Sequence, residues 1–300
     1  MANVNKPLAV ITVTYSPGEH LDTFLSSLRT ATSAGTVVIL ADNGSTDGVP
    51  EQAAKDHEHV EFFPTGGNVG YGTAINRAVR HLQARREAGE IRGDYFLFAN
   101  PDVEFGKGSI DALIAALNDA EQAACAGPYI EQEDGSPYPS ARAVPTLRNG
   151  IGHALFGQVW PSNPWTKAYK DDADMIQQRP AGWLSGSCLL VRWDAFEQVG
   201  GFDERYFMYM EDVDLGDRFG RADWQNLFCP QAVISHEVGH AAGKVPERML
   251  PAHHASAYRF LADRHPAAWQ APLRVALKVG LGLRARVAVA AARRKKQEKV

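Results

Sequence analysis

Residues 94–105 read "DYFLFANPDVEF". Tyr95, Phe96, Leu97, Phe98 and Ala99 form an apolar run of the kind that fills a central strand. The run stops at Asn100-Pro101-Asp102, and Pro101, which lacks an N–H, cannot continue as a central strand. The chain is therefore expected to leave the sheet here, with Asp102 at the strand's C-terminal edge. Ligands of open α/β sheets bind at that edge. The plainer alternative is an Asx-type turn that only redirects the chain.

On either side of this stretch, strand and helix patterns alternate. "LAVITVTY" (8–15) and "TVVILAD" (36–42) are continuous apolar, β-branched runs. "VEFF" (60–63) is a short third strand, and "ACAGPYI" (124–130) a further one. Leu21, Phe24, Leu25 and Leu28 recur at helical spacing, as do Ile75, Ala78, Val79 and Leu82, and then Ile110, Leu113, Ile114 and Leu117. This alternation predicts an α/β chain with a mostly parallel sheet and helices on both faces. Residues 131–182 show little periodicity and many Pro, Gly, Trp and Asp, which predicts a long excursion over the sheet. "WLSGSCLLVR" (183–192) returns to strand character, a helix begins near Glu211, and "LFCPQAVISHE" (227–237) is the last clear strand.

The 300 residues, 45% hydrophobic and 22% charged, allow one large domain with an appendage or two small ones. Cys125, Cys188 and Cys229 are widely spaced without a CxxC pair, which argues against a disulfide framework or zinc cluster and fits a reducing compartment. The opening "MANVNKPLAVITVTYS" lacks the basic and apolar regions of a secretory signal. No stretch approaches the ~18 apolar residues of a spanning helix.

The net charge of −4 conceals an asymmetry. Residues 271–300 carry nine Lys/Arg and one acid, so a +8 tail follows a −12 body. A basic tail calls for an anionic partner. An acidic body with no base-stacking motif argues against nucleic acid and leaves a lipid surface. Leu273, Ala276, Leu277, Gly280, Leu281 and Val287 are expected along one side of a tail helix, with Arg274, Lys278, Arg284 and Arg286 spread around it.

Several segments could carry chemistry. Asp42 and Asn43 end the second strand, ahead of a Gly-Ser-Thr-Asp-Gly turn. Asp42 could accept a hydrogen bond from a pyrimidine imide, or could simply cap the turn with Ser45 and Asp47. "TGGNVGYGTAINRAV" places glycines before a helix, where backbone can approach a ligand and the helix N-terminus favours anions. Its spacing is neither GxGxxG nor a Walker loop. "YMEDVDLGD" concentrates Glu211, Asp212, Asp214 and Asp217 at a helix start. There the dipole favours ionised carboxylates, so the acids are either structural or a general base with a tuning neighbour. His236 ends the last strand, and Arg259, on a probable helix, suits a phosphate.

Taken in order, "TYSPG", "VVILADNGSTDG", "GGNVGYGTAINRAV", "FANPDVEF", "WLSGSCLLVR" and "GFDERYFMYMEDVDLGDR" resemble the inverting GT-A glycosyltransferases of family 2, over roughly residues 8–240. The NPDV form and the tail resemble the family's rhamnosyltransferases, above all those that add L-rhamnose to polyprenyl-diphospho-N-acetylglucosamine in mycobacterial-type cell-wall linker synthesis. The resemblance implies a GT-A domain over 1–265, with a nucleotide-sugar half (1–130) and an acceptor half (131–265), followed by a membrane-associating tail (266–300). It implies dTDP-L-rhamnose as donor, with Thr14, Tyr15, Asp42, Asn43, Gly67, Asn68, Gly70, Asn100 and Asp102 around the nucleotide sugar. The family's DxD motif binds a divalent metal, Mg²⁺ or Mn²⁺, on the donor diphosphate. Here Asn100 replaces its first Asp, so Asp102 is left as the anionic ligand, with His236 as a second. Asp212 is implied as the base, with Glu211 orienting it. Trp183, Gly186 and Arg259 are assigned to the acceptor. The expected place is cytoplasmic, peripheral on the inner face of the plasma membrane, and a homodimer is left open. Other donors or acceptors, a nucleotidyltransferase, and an inactive nucleotide-sugar-binding protein are the alternatives. The last two are disfavoured by the lack of Lys or Arg in "TVTYSPGEH" and by the presence of Glu211-Asp212.

Overall fold

A computed structural model describes residues 6–132, 134–147, 175–236 and 246–297. Strands β1 (Leu8–Thr14), β2 (Thr36–Asp42), β3 (Val60–Pro64) and β4 (Tyr95–Ala99) are parallel, in the order β3-β2-β1-β4. Helices α1 (His20–Ala31), α2 (Val49–Asp56) and α3 (Tyr71–Glu87) connect them. All five residues of β4 are buried. Phe96 and Phe98 pack on one face with Ile11, Ile75, Trp193 and Phe202, while Tyr95, Leu97 and Ala99 pack on the other with Val10, Phe24 and Leu113. Cover on both faces is why the central strands read as unbroken apolar runs.

At the end of β4 the two readings of Asn100-Pro101-Asp102 coexist. The Val103 N–H donates to the Asn100 carbonyl (3.3 Å), closing a turn with Pro101 at its second position. That turn lies at the sheet edge. The chain then re-enters as β5 (Val103–Phe105), an element too short to show a sequence period.

Helix α4 (Ser109–Asp119) leads to β6 (Ala123–Glu131), followed by the short strands β7 (Pro137–Tyr138), β8 (Ala141–Arg142) and β9 (Arg179–Ala181). Most of the expected excursion, residues 148–174, lies outside the described residues. The single strand expected at 183–192 is two. β10 (Trp183–Leu184) pairs with β8, and β11 (Cys188–Arg192) runs antiparallel between β4 and β6. The break at 185–187 has a physical cause, because Gly186 turns its backbone groups to Tyr71 and Asp212 instead of to a strand. α5 (Trp193–Gln198) and α6 (Glu211–Arg221) precede β12 (Gln225–His236), which is parallel to β6 and antiparallel to β5. The result is an α/β GT-A-type sheet, ordered β3-β2-β1-β4-β11-β6-β12-β5.

Two C-terminal helices, α7 (Pro246–Asp263) and α8 (Ala271–Gln297), pack together. The one-sided apolar face expected of the tail is corrected here. Leu273, Leu277 and Leu281 are half-buried and Ala285 is buried, whereas Ala276 and Gly280 face solvent. Val275, Val279, Leu283 and Val287, each four residues from the next, form a second apolar line that is 55–69% exposed. Among the described residues no helix is long and apolar enough to cross a membrane. The three cysteines are buried and unpaired.

Candidate active site

The C-terminal edges of β1, β2 and β4 gather the nucleotide-side candidates. The Asp42 carboxylate, 4% exposed, accepts four hydrogen bonds. They come from the Thr14 hydroxyl (2.7 Å), the Ser45 hydroxyl, and the backbone N–H groups of Gly44 (2.9 Å) and Ser45 (3.0 Å). The geometry is thus that of the turn-capping alternative, and a base imide reaches Asp42 only by displacing one of these donors. Asn43 is also buried, and its amide donates to the Gly70 carbonyl (3.3 Å). Tyr15, at the end of β1, is exposed and free to meet a ring.

The glycines of the 65–72 loop divide by role. Gly67 has φ +126° and open space beside it, so its backbone conformation is what calls for glycine. At Gly70 (φ +90°) a Cβ would lie 2.3 Å from the Phe207 carbonyl oxygen. Its close approach is to the protein's own chain. The same carbonyl accepts the Tyr71 N–H (3.2 Å), and the Asn68 side chain accepts the Gly70 N–H (3.4 Å). This loop is therefore pinned to the segment leading into α6.

At the β4 edge, Asp102 Oδ1 and His236 Nε2 approach to 3.1 Å, because β12 sets His236 opposite Val103. Asn100 Nδ2 lies 3.3 Å from the same His nitrogen. Among the described residues Asp102 Oδ1 and His236 Nδ1 find no well-formed hydrogen bond although both are buried, an expensive state for polar atoms. Among the described residues no three His, Cys, Asp or Glu side chains form a metal cluster. Asp102 Oδ1, left short of a hydrogen bond, and His236 Nε2, 3.1 Å from it, nevertheless fit a divalent cation that draws its other ligands from a diphosphate.

The four acids of α6 are not equivalent. Asp214 pairs with Arg218 (2.7 Å), and Asp217 with Arg221 (2.8 Å) and Arg264. Glu211 and Asp212 have no cationic partner in ion-pair contact among the described residues. Asp212 Oδ2 accepts the Gly186 N–H (3.0 Å) and Oδ1 the Val213 N–H (2.8 Å), while Glu211 Oε2 is buried without a partner among the described residues. Burial, then the charge of Asp212, pushes Glu211 up to about 8. Burial also raises Asp212, opposed by the N–H groups of Gly186 and Val213. This corrects the expectation that the helix dipole keeps both ionised. Desolvation outweighs the dipole, and both carboxyls are pushed towards holding a proton, Glu211 with an oxygen that has no partner and Asp212 with two N–H donors that favour its charge.

Tyr71 is the residue that sequence reasoning missed. Its hydroxyl donates to the Gly186 carbonyl (2.7 Å), so it ties the glycine loop to the residue that holds Asp212. Its only sequence signal is its place directly after Gly70. Tyr209 (φ 66°) and Met210 (φ 68°) both occupy the left-handed region just before Glu211, a strain of about 1–3 kcal/mol each that concentrates at functional sites. Of the acceptor candidates, Gly186 and Trp183 lie beside the pair's helix, with Trp183 packed on Gly216. Arg259 lies on α7, and no hydrogen bond or ion pair among the described residues links it to this cluster.

The sequence model of glycosyl transferase family 2 matches residues 9–200. The chain belongs to that family. It is 52% identical, over 97% of its length and 96% of the relative's, to the N-acetylglucosaminyl-diphospho-decaprenol L-rhamnosyltransferase of Mycobacterium tuberculosis. It is 26% identical to the rhamnosyltransferase WbbL of Escherichia coli K12, over 85% of this chain and 92% of that one. Among solved structures, the family 2 chain superposes on the mannosyltransferase PcManGT of Pyrobaculum calidifontis in complex with GDP-Man and Mn²⁺. The TM-score is 0.56 at 14% identity, covering 96% of this chain and 73% of that one. GalNAc-T7 with UDP, GalNAc and Mn²⁺ gives 0.56 at 13% identity, covering 77% and 43%. These structural likenesses establish the fold.

Proposed function

We propose that this enzyme transfers L-rhamnose from dTDP-L-rhamnose to polyprenyl-diphospho-N-acetylglucosamine, inverting the anomeric centre. The observation that carries the proposal is the 52% identity spanning nearly the whole of both chains. The site geometry supports it. We assign residues 1–130 to the nucleotide sugar, 131–265 to the acceptor and 266–300 to membrane attachment.

Thr14, Tyr15, Asp42, Asn43, Gly67, Asn68, Gly70 and Asn100 surround the nucleotide sugar, and Asp102 and His236 would hold a divalent cation. When bound, that cation offsets the charge that builds on the departing diphosphate. Asp212 accepts the proton of the acceptor hydroxyl as its oxygen bonds to the anomeric carbon and the bond to dTDP breaks. One displacement suffices, so no covalent enzyme intermediate forms. With Glu211 protonated, the negative charge of the pair sits on Asp212, where the Gly186 and Val213 N–H groups hold it. The tail docks on the anionic inner face of the membrane, which brings the enzyme to a lipid-linked acceptor.

Asp212→Asn keeps shape and hydrogen bonding but removes basicity. General-base catalysis contributes about 10²- to 10⁴-fold. The variant should lose at least about a hundredfold in kcat while dTDP-rhamnose binding is retained. Near-normal transfer by Asp212→Asn places the base elsewhere.

A further inference from the structure

The loop 185–187 divides the site into two sides. Towards β4, the Ser187 carbonyl accepts the Asn100 N–H (2.8 Å), joining the loop to the Asn-Pro-Asp edge. Away from it, the Ser185 N–H donates to the Ser140 carbonyl (2.7 Å), and β10 pairs with β8, setting Trp183 opposite Arg142. Gly186, between them, holds Asp212. The strand that carries Arg142 thus joins the loop on one side of Gly186, and the Asn-Pro-Asp edge joins it on the other.

Arg142 is half-buried, and its Nε donates to the Pro139 carbonyl (2.9 Å), which fixes the guanidinium plane. Among the described residues its two terminal nitrogens have no hydrogen bond and no carboxylate partner. Arg179, on the next strand, differs: its terminal nitrogens donate to the Ala141 and Pro180 carbonyls. Arg142's charge reaches Asp212 and the half-buried Tyr138, favouring the ionised form of each. A half-buried guanidinium with an anchored Nε and an unpaired terminal edge is built for an anion, and its planar donors match phosphate oxygens.

We infer that Arg142 binds the diphosphate of the acceptor, on the far side of Asp212 from the donor. The inference rests on the polyprenyl-diphosphate reading above. That diphosphate is carried by the same sugar whose hydroxyl Asp212 deprotonates. Its cation must therefore stand near the base without pairing with it, as Arg142 does.

The test compares wild type, Arg142→Gln and Arg142→Lys on two acceptors. One is a short-chain prenyl-diphospho-N-acetylglucosamine, and the other an alkyl N-acetylglucosaminide without the diphosphate. Charge-assisted hydrogen bonds of this type correspond to about ten- to a hundredfold in affinity. Arg142→Gln should raise KM for the diphosphate acceptor by that factor and leave KM for dTDP-rhamnose and for the neutral acceptor unchanged. Arg142→Lys should restore part of the loss. Calorimetric binding of geranyl diphosphate should weaken in parallel, with the melting temperature of the variant unchanged. An unaltered KM for the diphosphate acceptor overturns the inference. So does an equal loss on both acceptors, because Arg142 would then act through Asp212. If wild type transfers to neither acceptor, the polyprenyl-diphosphate reading itself fails before any variant is compared, and the inference falls with it.

Discussion

Glu211→Gln should make the protein more stable in alkali and no more stable in acid. Glu211 is 8% exposed, one of its oxygens has no partner among the described residues, and burial beside Asp212 pushes it from 4.5 up to about 8. Between those values the folded protein keeps a proton that the unfolded chain releases. The corresponding stability is fully present below pH 4.5 and is lost as pH rises through 8. At ~1.4 kcal/mol per pH unit the ceiling is about 5 kcal/mol, and partial relaxation of the buried pair brings the expected loss to about 2–3 kcal/mol. Glutamine has nearly the same shape and no proton to lose, so the variant escapes this loss. Asp214, also raised by burial, is common to both proteins and cancels in the comparison. Thermal melts at pH 5 and pH 8.5 are the assay. The two proteins should melt together at pH 5, with Glu211→Gln about 5–10 °C higher at pH 8.5. Parallel profiles, or a less stable variant at pH 8.5, would refute the protonated Glu211.

Three other outcomes are expected. Transfer should require Mg²⁺ or Mn²⁺, stop in EDTA, and be lost in Asp102→Ala with the fold retained; full turnover in EDTA would remove Asp102 and His236 from that role. Asp42→Ala strands the Thr14 hydroxyl, which is 0% exposed, so it should lower stability by on the order of 1–3 kcal/mol as well as weaken dTDP binding. A melt that does not move would show that Asp42 is not holding the turn. Leu283→Asp, on the exposed line of α8, should reduce co-sedimentation with anionic liposomes and leave transfer to a soluble acceptor intact, and unchanged sedimentation would argue against that face as the docking surface.

Much of the sheet was legible in the sequence because its central strands are buried on both faces. "TVVILAD" coincides with β2, and the apolar run Tyr95–Ala99 coincides with β4. What escaped was set by tertiary partners. β5 is three residues long and exists because β12 pairs with it. The break at 185–187 depends on Tyr71 and Asp212, both more than 25 residues away. Four acids within the first seven residues of α6 look alike in the sequence. Among the described residues, the arginines at 218, 221 and 264 separate Asp214 and Asp217 from Glu211 and Asp212, which have no such partner there. Periodicity likewise could not choose between the two apolar sides of α8, since that depends on which side meets α7.

The most direct measurement is to incubate the purified chain with polyprenyl-diphospho-N-acetylglucosamine, Mg²⁺ and a panel of nucleotide sugars, and to identify any product by mass and anomeric configuration. Transfer of a single deoxyhexose from dTDP-L-rhamnose, with the anomeric configuration inverted and other donors far slower, is the predicted result. Preferred transfer from a different nucleotide sugar, or retention of configuration in the product, would contradict it.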